Sequence, residues 1–175
     1  MQCLPAELHN RPERIVPAVR EQIGAHRSEY ESIFVAYADC GTGGMLDGLL
    51  REAGIERLPG AHCYEFFAGS ATFAELQNGE PGTFYLTDFL VRHFDRLVTR
   101  GLGLDRHPEL AGEYFRNYRR LVYLSQSPCA EAETRARQIA QSMGLEFELR
   151  VTGYGELGVR LNALVSSHRE REWPH

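Results

Sequence analysis

The sequence predicts an α/β fold: a three-layer, doubly wound (Rossmann-like), mostly parallel sheet with a helical insertion. Short apolar runs alternate with amphipathic segments along the chain, which is the order expected of βαβ units. Gly-rich turns follow the first runs, where open α/β sheets place their ligands. The chain has 175 residues, of which 43% are hydrophobic, so it can form one domain with a sizeable core. We therefore expect a single α/β domain over residues 1–175, with residues 166–175 as a frayed polar tail.

The first half of the chain predicts two βα units after an opening helix. Apolar side chains recur at helical spacing before the first strand, and a Gly-rich turn follows that strand. Residues 1–5 resemble the end of a strand, so we expect a segment upstream of Met1 to be missing. The predicted elements are a helix over 13–26, a strand over 33–37, a turn over 38–44, a helix over 45–53, a strand beginning at Glu56 and a helix over 66–78.

The second half predicts the insertion and then two further strands. From Phe84 to Val98 apolar residues recur at threes and fours, which indicates a buried helix. Gly144 is placed to end a helix, and the alternating residues after it indicate an edge strand. The predicted elements are helices over 84–98 and 109–120, which form the insertion, a strand over 121–124, a helix over 130–143, a strand over 146–151 and a helix over 155–165.

Composition excludes several classes of function. The net charge is −5 and no lysine occurs, which argues against a general nucleic-acid binder, Schiff-base chemistry and a Walker-type phosphate site. No run approaches the roughly twenty apolar residues of a membrane span. The first residues do not resemble a secretory signal peptide. We therefore expect a cytoplasmic protein whose four cysteines are free or metal-bound thiols.

Cysteine and histidine side chains follow two neighbouring predicted strands. Cys40 lies in the turn after the first strand, and His62 and Cys63 lie in the turn after the second. Thiolate and imidazole are ligands of Zn or Fe, and a three-ligand set leaves a position open to activate water or a substrate thiol. Cys3 and His9, near the opening strand end, are further candidate ligands. The alternative is that cysteines at strand ends only pack against the core.

The turn after the first strand also fits a second kind of site. Asp39 is followed by Cys40-Gly41-Thr42-Gly43-Gly44, an acidic and Gly-rich loop like that of S-adenosylmethionine-dependent methyltransferases. The backbone of Gly41, Thr42, Gly43 and Gly44 would then approach the cofactor. The next strand carries its acid, Glu56, at its beginning, whereas a carboxylate for the ribose is expected at the strand end.

A crevice under the insertion could bind a small molecule. Tyr64, Tyr85, Asp88 and Arg92 are the candidate substrate-binding residues. On a helix, Asp88 and Arg92 share one face, and the alternative is that they form a solvated ion pair of little energetic value.

Five ordered blocks of the sequence resemble the domain of unknown function 1638 family. Its members show an LH-x-x-P loop, a Y-x-x-C-G turn, a P-x-x-H-D-C segment, a G-S turn and a G-T-Y/F-Y/W block. The third block here lacks the Asp between His62 and Cys63. The matching blocks are Leu8-His9-Asn10-Arg11-Pro12, Tyr37 to Gly43, Leu58 to Tyr64, Gly69-Ser70 and Pro81 to Thr87.

The resemblance implies a role but no established activity. Similar members belong with corrinoid-dependent methyl-transfer systems, which implies a small-molecule or corrinoid-related ligand and methyltransferase-system proteins as partners. We therefore expect a metal-binding protein that supports such a pathway. The alternatives are the methyltransferase described above and a protein that binds a small molecule or corrinoid without turnover.

Overall fold

The computed structural model describes residues 2–58 and 60–172, with every side chain except those of His9 and residues 164–172. No helix in this part of the chain has the length and apolar composition that crossing a bilayer would need. The α-helices are α1 (Ile15–His26), α2 (Met45–Ala53), α3 (Cys63–Ala68), α4 (Ser70–Gly79), α5 (Asp88–Phe94), α6 (Ala111–Phe115), α7 (Ala130–Met143) and α8 (Gly155–Glu172).

The strands of the described residues form two separate parallel sheets. In the first, β1 (Phe34–Val35) pairs with β2 (Glu56–Arg57), with Phe34 opposite Glu56. The second has the order β3-β4-β5, and it consists of β3 (Thr83–Thr87), β4 (Arg120–Ser125) and β5 (Glu146–Val151). An α/β class with parallel strands is confirmed, whereas the three-layer doubly wound arrangement stays a prediction.

The chain groups into two compact units. The first unit comprises the residues up to Cys63 together with Phe89–Asn117, and the second comprises Tyr64–Asp88 and the residues from Tyr118 onward. In the first unit, the apolar stripes of α1 and α2 supply most of the core, as their helical spacing predicts. The buried residues of this core are Leu8, Ile15, Val19, Leu46, Leu49, Leu50 and Ile55.

The second unit is built on the central strand β4. Leu121 to Ser125 of this strand are all buried, which matches a strand covered on both faces. Arg120 ties the sheet together, because its guanidinium donates to the Glu148 carboxylate at 2.8 Å and to the Leu76 carbonyl at 3.0 Å. The small and branched residues Ala136, Ile139 and Ala140 form the buried stripe of α7.

The helix predicted over 84–98 is wrong in its first part. Thr83–Thr87 is the strand β3, and the helix begins only at Asp88. Four of the five residues of β3 are buried, so the strand lacks the alternation that identifies a half-exposed one. The helix then kinks at His93 (φ −111°, ψ 16°) and continues as a π-helical turn over Asp95–Thr99.

Three further helix predictions differ from the structure. The helix predicted over 66–78 is two helices, α3 and α4, with Gly69 between them. Within 109–120, only Ala111–Phe115 is α-helical, after a 3₁₀ turn over Pro108–Leu110. The last helix, α8, runs to Glu172 and not to 165, because no Gly or Pro interrupts the chain between Val159 and Glu172. Residues 166–172 of the predicted tail are therefore helical, and 173–175 lie outside the described residues.

Candidate functional site

The turn after β1 is organised around the carboxylate of Asp39. This carboxylate accepts hydrogen bonds from the N–H of Gly44 at 2.9 Å, from the N–H of Gly43 at 3.1 Å and from the hydroxyl of Thr42. The Thr42 hydroxyl, followed by the two amides, holds the pKa of Asp39 below its usual value. The loop amides that could bind an anion therefore point at a carboxylate of the loop itself.

The turns after β1 and β2 are paired through their backbones. The N–H of Asp39 donates to the Gly60 carbonyl at 3.2 Å, and the N–H of Cys40 donates to the Ala61 carbonyl at 2.9 Å. These bonds continue the parallel pairing of β1 and β2 beyond the strands themselves. As a result Cys40 lies beside the segment that ends in Cys63.

Arg57 fixes the second turn from inside the first unit. Its guanidinium forms a two-pronged ion pair with the carboxylate of Asp47, at 2.6 and 2.9 Å. The same group donates to the carbonyl oxygens of Leu58 at 2.6 Å and Gly60 at 3.2 Å. One side chain thus joins helix α2 to the turn that carries Ala61 and Cys63, and bidentate pairs of this kind hold their geometry well.

The thiols of Cys40 and Cys63 are hydrogen-bonded to each other. The sulfur of Cys40 also interacts with the N–H groups of Cys63 and Ala38. Of these groups, the thiol of Cys63 has the largest effect on the pKa of Cys40. These donors lower the pKa of Cys40 to about 7, although burial and the charge of Asp39 act in the opposite direction. Both cysteines are free thiols, so Cys40 is close to half thiolate at neutral pH.

Tyr37 and the backbone of Cys40 complete the surroundings of this thiol pair. Burial, and then the charges of Cys40 and Cys63, raise the pKa of Tyr37 to about 12, so its phenol stays protonated beside the sulfur atoms. Cys40 has φ +47°, and it is the one non-glycine residue with positive φ among the described residues. Such backbone strain is concentrated at functional sites.

The structure brings together two of the five predicted metal ligands. Cys40 and Cys63 meet, whereas Cys3 and His62 are exposed, and the side chain of His9 lies outside the described residues. Within the part of the chain that the structure describes, no group of three or more His, Cys, Asp and Glu side chains is arranged to hold a metal ion. The arrangement therefore offers two sulfur ligands and not a complete coordination sphere.

Three of the predicted substrate-binding residues have structural contacts in the second unit. Tyr64 stacks on Tyr85, with ring centroids 5.3 Å apart and planes inclined by 29°. The Asp88 carboxylate accepts from the Tyr123 hydroxyl at 2.8 Å and from the N–H groups of Gln126 at 3.1 Å and Ser127 at 2.8 Å. Arg92, the fourth residue, is exposed on α5 in the first unit.

Sequence reasoning missed Tyr37 and Arg57 as parts of the thiol site. Arg57 could have been found from the sequence, because it lies in the short strand that directly follows α2, and Asp47 is an acid in the first turn of α2. Tyr37 opens the block that resembles the family's Y-x-x-C-G turn, but periodicity alone treats it as one more apolar residue of the first strand.

One comparison with known proteins gave a match. The family model described as "Protein of unknown function (DUF1638)" matches residues 3–159. No curated protein and no solved structure matches the chain.

Proposed function

Because the chain belongs to the family described as proteins of unknown function (DUF1638), whose name assigns no activity, we propose a function from the site itself. Cys40 and Cys63 are paired thiolate ligands for one Zn or Fe ion. The observation that carries this proposal is the hydrogen bond between the two thiols, which brings together sulfur atoms from two separate turns. Thiolate is a strong ligand for both metals.

The environment of Cys40 favours the form that binds metal. A metal ion takes the thiolate and releases a proton, so a thiol that already ionises near neutral pH binds with a smaller cost. Donors to the sulfur of Cys40 come from the backbone of Cys63 and Ala38, and they remain in place when the thiol proton leaves. Such donors also orient a metal-bound sulfur.

Two thiolates leave room for further ligands. His62 is adjacent to Cys63 in the chain and exposed, so a rotation of its side chain can turn the imidazole toward the ion. Cys3 and His9 are the other protein candidates, and a water or substrate atom is the remaining one. When bound, the metal would act as a Lewis acid on the group in an open position.

The test is metal analysis of the purified protein and matched cysteine variants. We expect about one Zn or Fe per chain in the wild type and in Cys129→Ser, which changes an exposed cysteine of the second unit. Cys40→Ser and Cys63→Ser should each lose most of the metal while their circular dichroism stays unchanged. His62→Ala reports whether the imidazole completes the site.

Metal content that is equal in the wild type and in both folded serine variants would sink the proposal. A wild type that neither retains nor takes up Zn or Fe after reconstitution under reducing conditions would do the same. Because Cys129→Ser passes through the same purification, loss of metal in that variant too would point to handling and not to the site.

The proposal includes the methyl-transfer role that the family resemblance implies. With dithiothreitol as the methyl acceptor, added methylcobalamin should then lose its methyl group as the Co–C bond breaks and an S–CH3 bond forms, which leaves cob(I)alamin. Visible absorbance follows this change, which should require metal-loaded protein and be absent with Cys40→Ser. The methyltransferase alternative needs loop amides, of which Gly43 and Gly44 already donate to Asp39. We therefore expect no saturable heat of binding for S-adenosylmethionine.

A further inference from the structure

A cavity of about 230 Å³ lies in the second unit, and none of its lining residues belongs to the thiol pair. It sits at the carboxyl ends of β4 and β5, beside the first residues of α7. Open parallel sheets bind ligands at this edge. A volume of this size admits a small molecule.

The floor of the cavity holds a buried hydroxyl group without a partner. Ser125, the last residue of β4, is 1% exposed, and its Oγ has no hydrogen-bond partner among the described residues. The hydroxyl of Tyr123 donates a hydrogen bond to Asp88 at 2.8 Å. Burial raises the pKa of Tyr123 to about 12, and the Ser125 hydroxyl is close enough to lower it, but the two hydroxyls do not reach the geometry of a hydrogen bond. Buried polar groups in folded proteins are nearly always hydrogen-bonded, so this hydroxyl is available to donate to a molecule in the cavity.

The position of Ser125 is held by its backbone. Its carbonyl oxygen accepts hydrogen bonds from the N–H groups of Thr152 at 2.9 Å and Gly153 at 3.3 Å. The chain after β5 therefore fixes the backbone at the end of β4, which leaves rotation about the Cα–Cβ bond as the main freedom of the hydroxyl. A donor held in this way loses little freedom when it binds a ligand.

The amino end of α7 borders the cavity through Cys129 and Ala130, and its first turn supplies further donors. Its N-cap residue, Cys129, makes no side-chain capping bond, and the first helical bond runs from the Glu133 N–H to the Cys129 carbonyl at 3.0 Å. The N–H groups of Ala130, Glu131 and Ala132 precede this bond, so they have no acceptor within the helix. Together with the helix dipole, they favour an anionic oxygen.

The only acid among the cavity's lining residues is compensated. The carboxylate of Glu133 binds the Arg137 guanidinium at 2.7 and 3.0 Å, so its charge is largely neutralised. The remaining wall is apolar and includes Pro128, Leu149 and Val151. The cavity thus combines donors at one end with a hydrocarbon surface at the other.

We infer that this cavity binds a small aliphatic carboxylic acid. The hydroxyl of Ser125 and the first N–H groups of α7 donate to the carboxylate, and the hydrocarbon part packs against Leu149 and Val151. A free phosphate has no apolar part to use this wall, which is why the carboxylate is favoured. The site is independent of the proposed metal site, because all of its residues belong to the second unit.

The experiment titrates isobutyrate, its neutral isostere isobutyramide and inorganic phosphate into nitrogen-15-labelled protein, following amide shifts by NMR. We expect saturable shifts of residues 125–127 and 129–133 with isobutyrate and at least tenfold weaker binding of the amide and of phosphate. Absence of saturable binding by isobutyrate overturns the inference, as does equal binding of the amide or tighter binding of phosphate.

Two variants and one control identify the donors. Ser125→Ala should bind isobutyrate at least tenfold more weakly and yet unfold at a higher urea concentration, because it removes an unpartnered buried hydroxyl. Ala130→Pro removes one N–H at the first helical position, where proline is tolerated, and should also weaken binding. The control Ser142→Ala changes a serine near the other end of α7 and should bind normally. Unchanged binding in Ser125→Ala overturns the inference.

Discussion

The N–H of Cys40 donates a hydrogen bond of 2.9 Å to the carbonyl oxygen of Ala61, two residues before Cys63. This single bond links the turns after β1 and β2, and with its neighbour from Asp39 to Gly60 it sets the register of the thiol pair. The chemistry of the first unit therefore depends on backbone pairing beyond the last residues of two very short strands.

Alkylation of Cys40 should follow its lowered pKa. The thiolate is the form that reacts, so the rate with iodoacetamide should rise through a midpoint near pH 7. Cys63→Ala removes the thiol donor, and the midpoint should move up toward the ordinary value of about 8.5. Mass spectrometry of the Cys40 peptide measures the rate. Cys129→Ser should leave the midpoint unchanged, and an unchanged midpoint in Cys63→Ala would contradict the hydrogen bond.

Replacing Arg57 with Gln should destabilise the turn after β2, although both thiols of the site are retained. The variant loses the ion pair with Asp47 and the bonds to the carbonyls of Leu58 and Gly60. We expect a loss of about 2–4 kcal/mol in the free energy of unfolding and a higher pKa of Cys40. Urea denaturation and the alkylation profile measure the two effects. Arg51→Gln, on the exposed side of α2, is the control and should change stability by less than about 0.5 kcal/mol.

Acid should destabilise the wild type more than Asp39→Asn. The folded pKa of Asp39 is lower than its unfolded value of about 4. Its ionised form therefore adds stability above that pH, and the contribution is lost as the pH falls through the folded pKa. The difference in urea midpoint between the two proteins should be largest near pH 6 and shrink toward pH 3. A difference that does not vary with pH would show that the charge is not responsible.

Gly101 has no room for a side chain. A Cβ there would lie 2.1 Å from the carbonyl oxygen of Leu97 and 2.5 Å from Nδ2 of Asn10, which donates to that oxygen at 2.7 Å. Gly101→Ala should lower the free energy of unfolding by about 1–3 kcal/mol, measured by urea denaturation. Gly112, in α6, has no heavy atom within 4 Å of an added Cβ. Gly112→Ala should therefore be neutral or stabilising by up to about 1 kcal/mol.

Helix bounds were predicted well where a local signal ends the helix. The bounds 45–53 and 130–143 are confirmed by α2 and α7, because Gly54 and Gly144 adopt the left-handed conformation that terminates each helix. The strand 146–151 is likewise confirmed by β5, whose alternation is local. For these elements, the sequence signal lies within a few neighbouring residues.

Elements and contacts that depend on distant residues could not be predicted. The buried strand β3 looks like part of a helix until β4 pairs with it. The loop that follows Asp39 has the composition of a cofactor-binding loop. Only the folded structure shows that the Asp39 carboxylate accepts hydrogen bonds from amides of that same loop. The side chain of Asn10 donates to the carbonyl oxygen of Leu97, which is 87 residues away in the sequence and carries no local signal of this contact.

The left-handed backbone of Cys40 sets stability against chemistry. A residue with a Cβ at φ +47° lowers the free energy of unfolding by roughly 1 kcal/mol relative to glycine. Cys40→Gly should therefore unfold at a higher urea concentration than Cys40→Ala. Selection for robustness alone would favour glycine here, as at the next residue, Gly41. A chain with cysteine at this position has a lower free energy of unfolding than one with glycine, and it gains a thiol in the turn after β1.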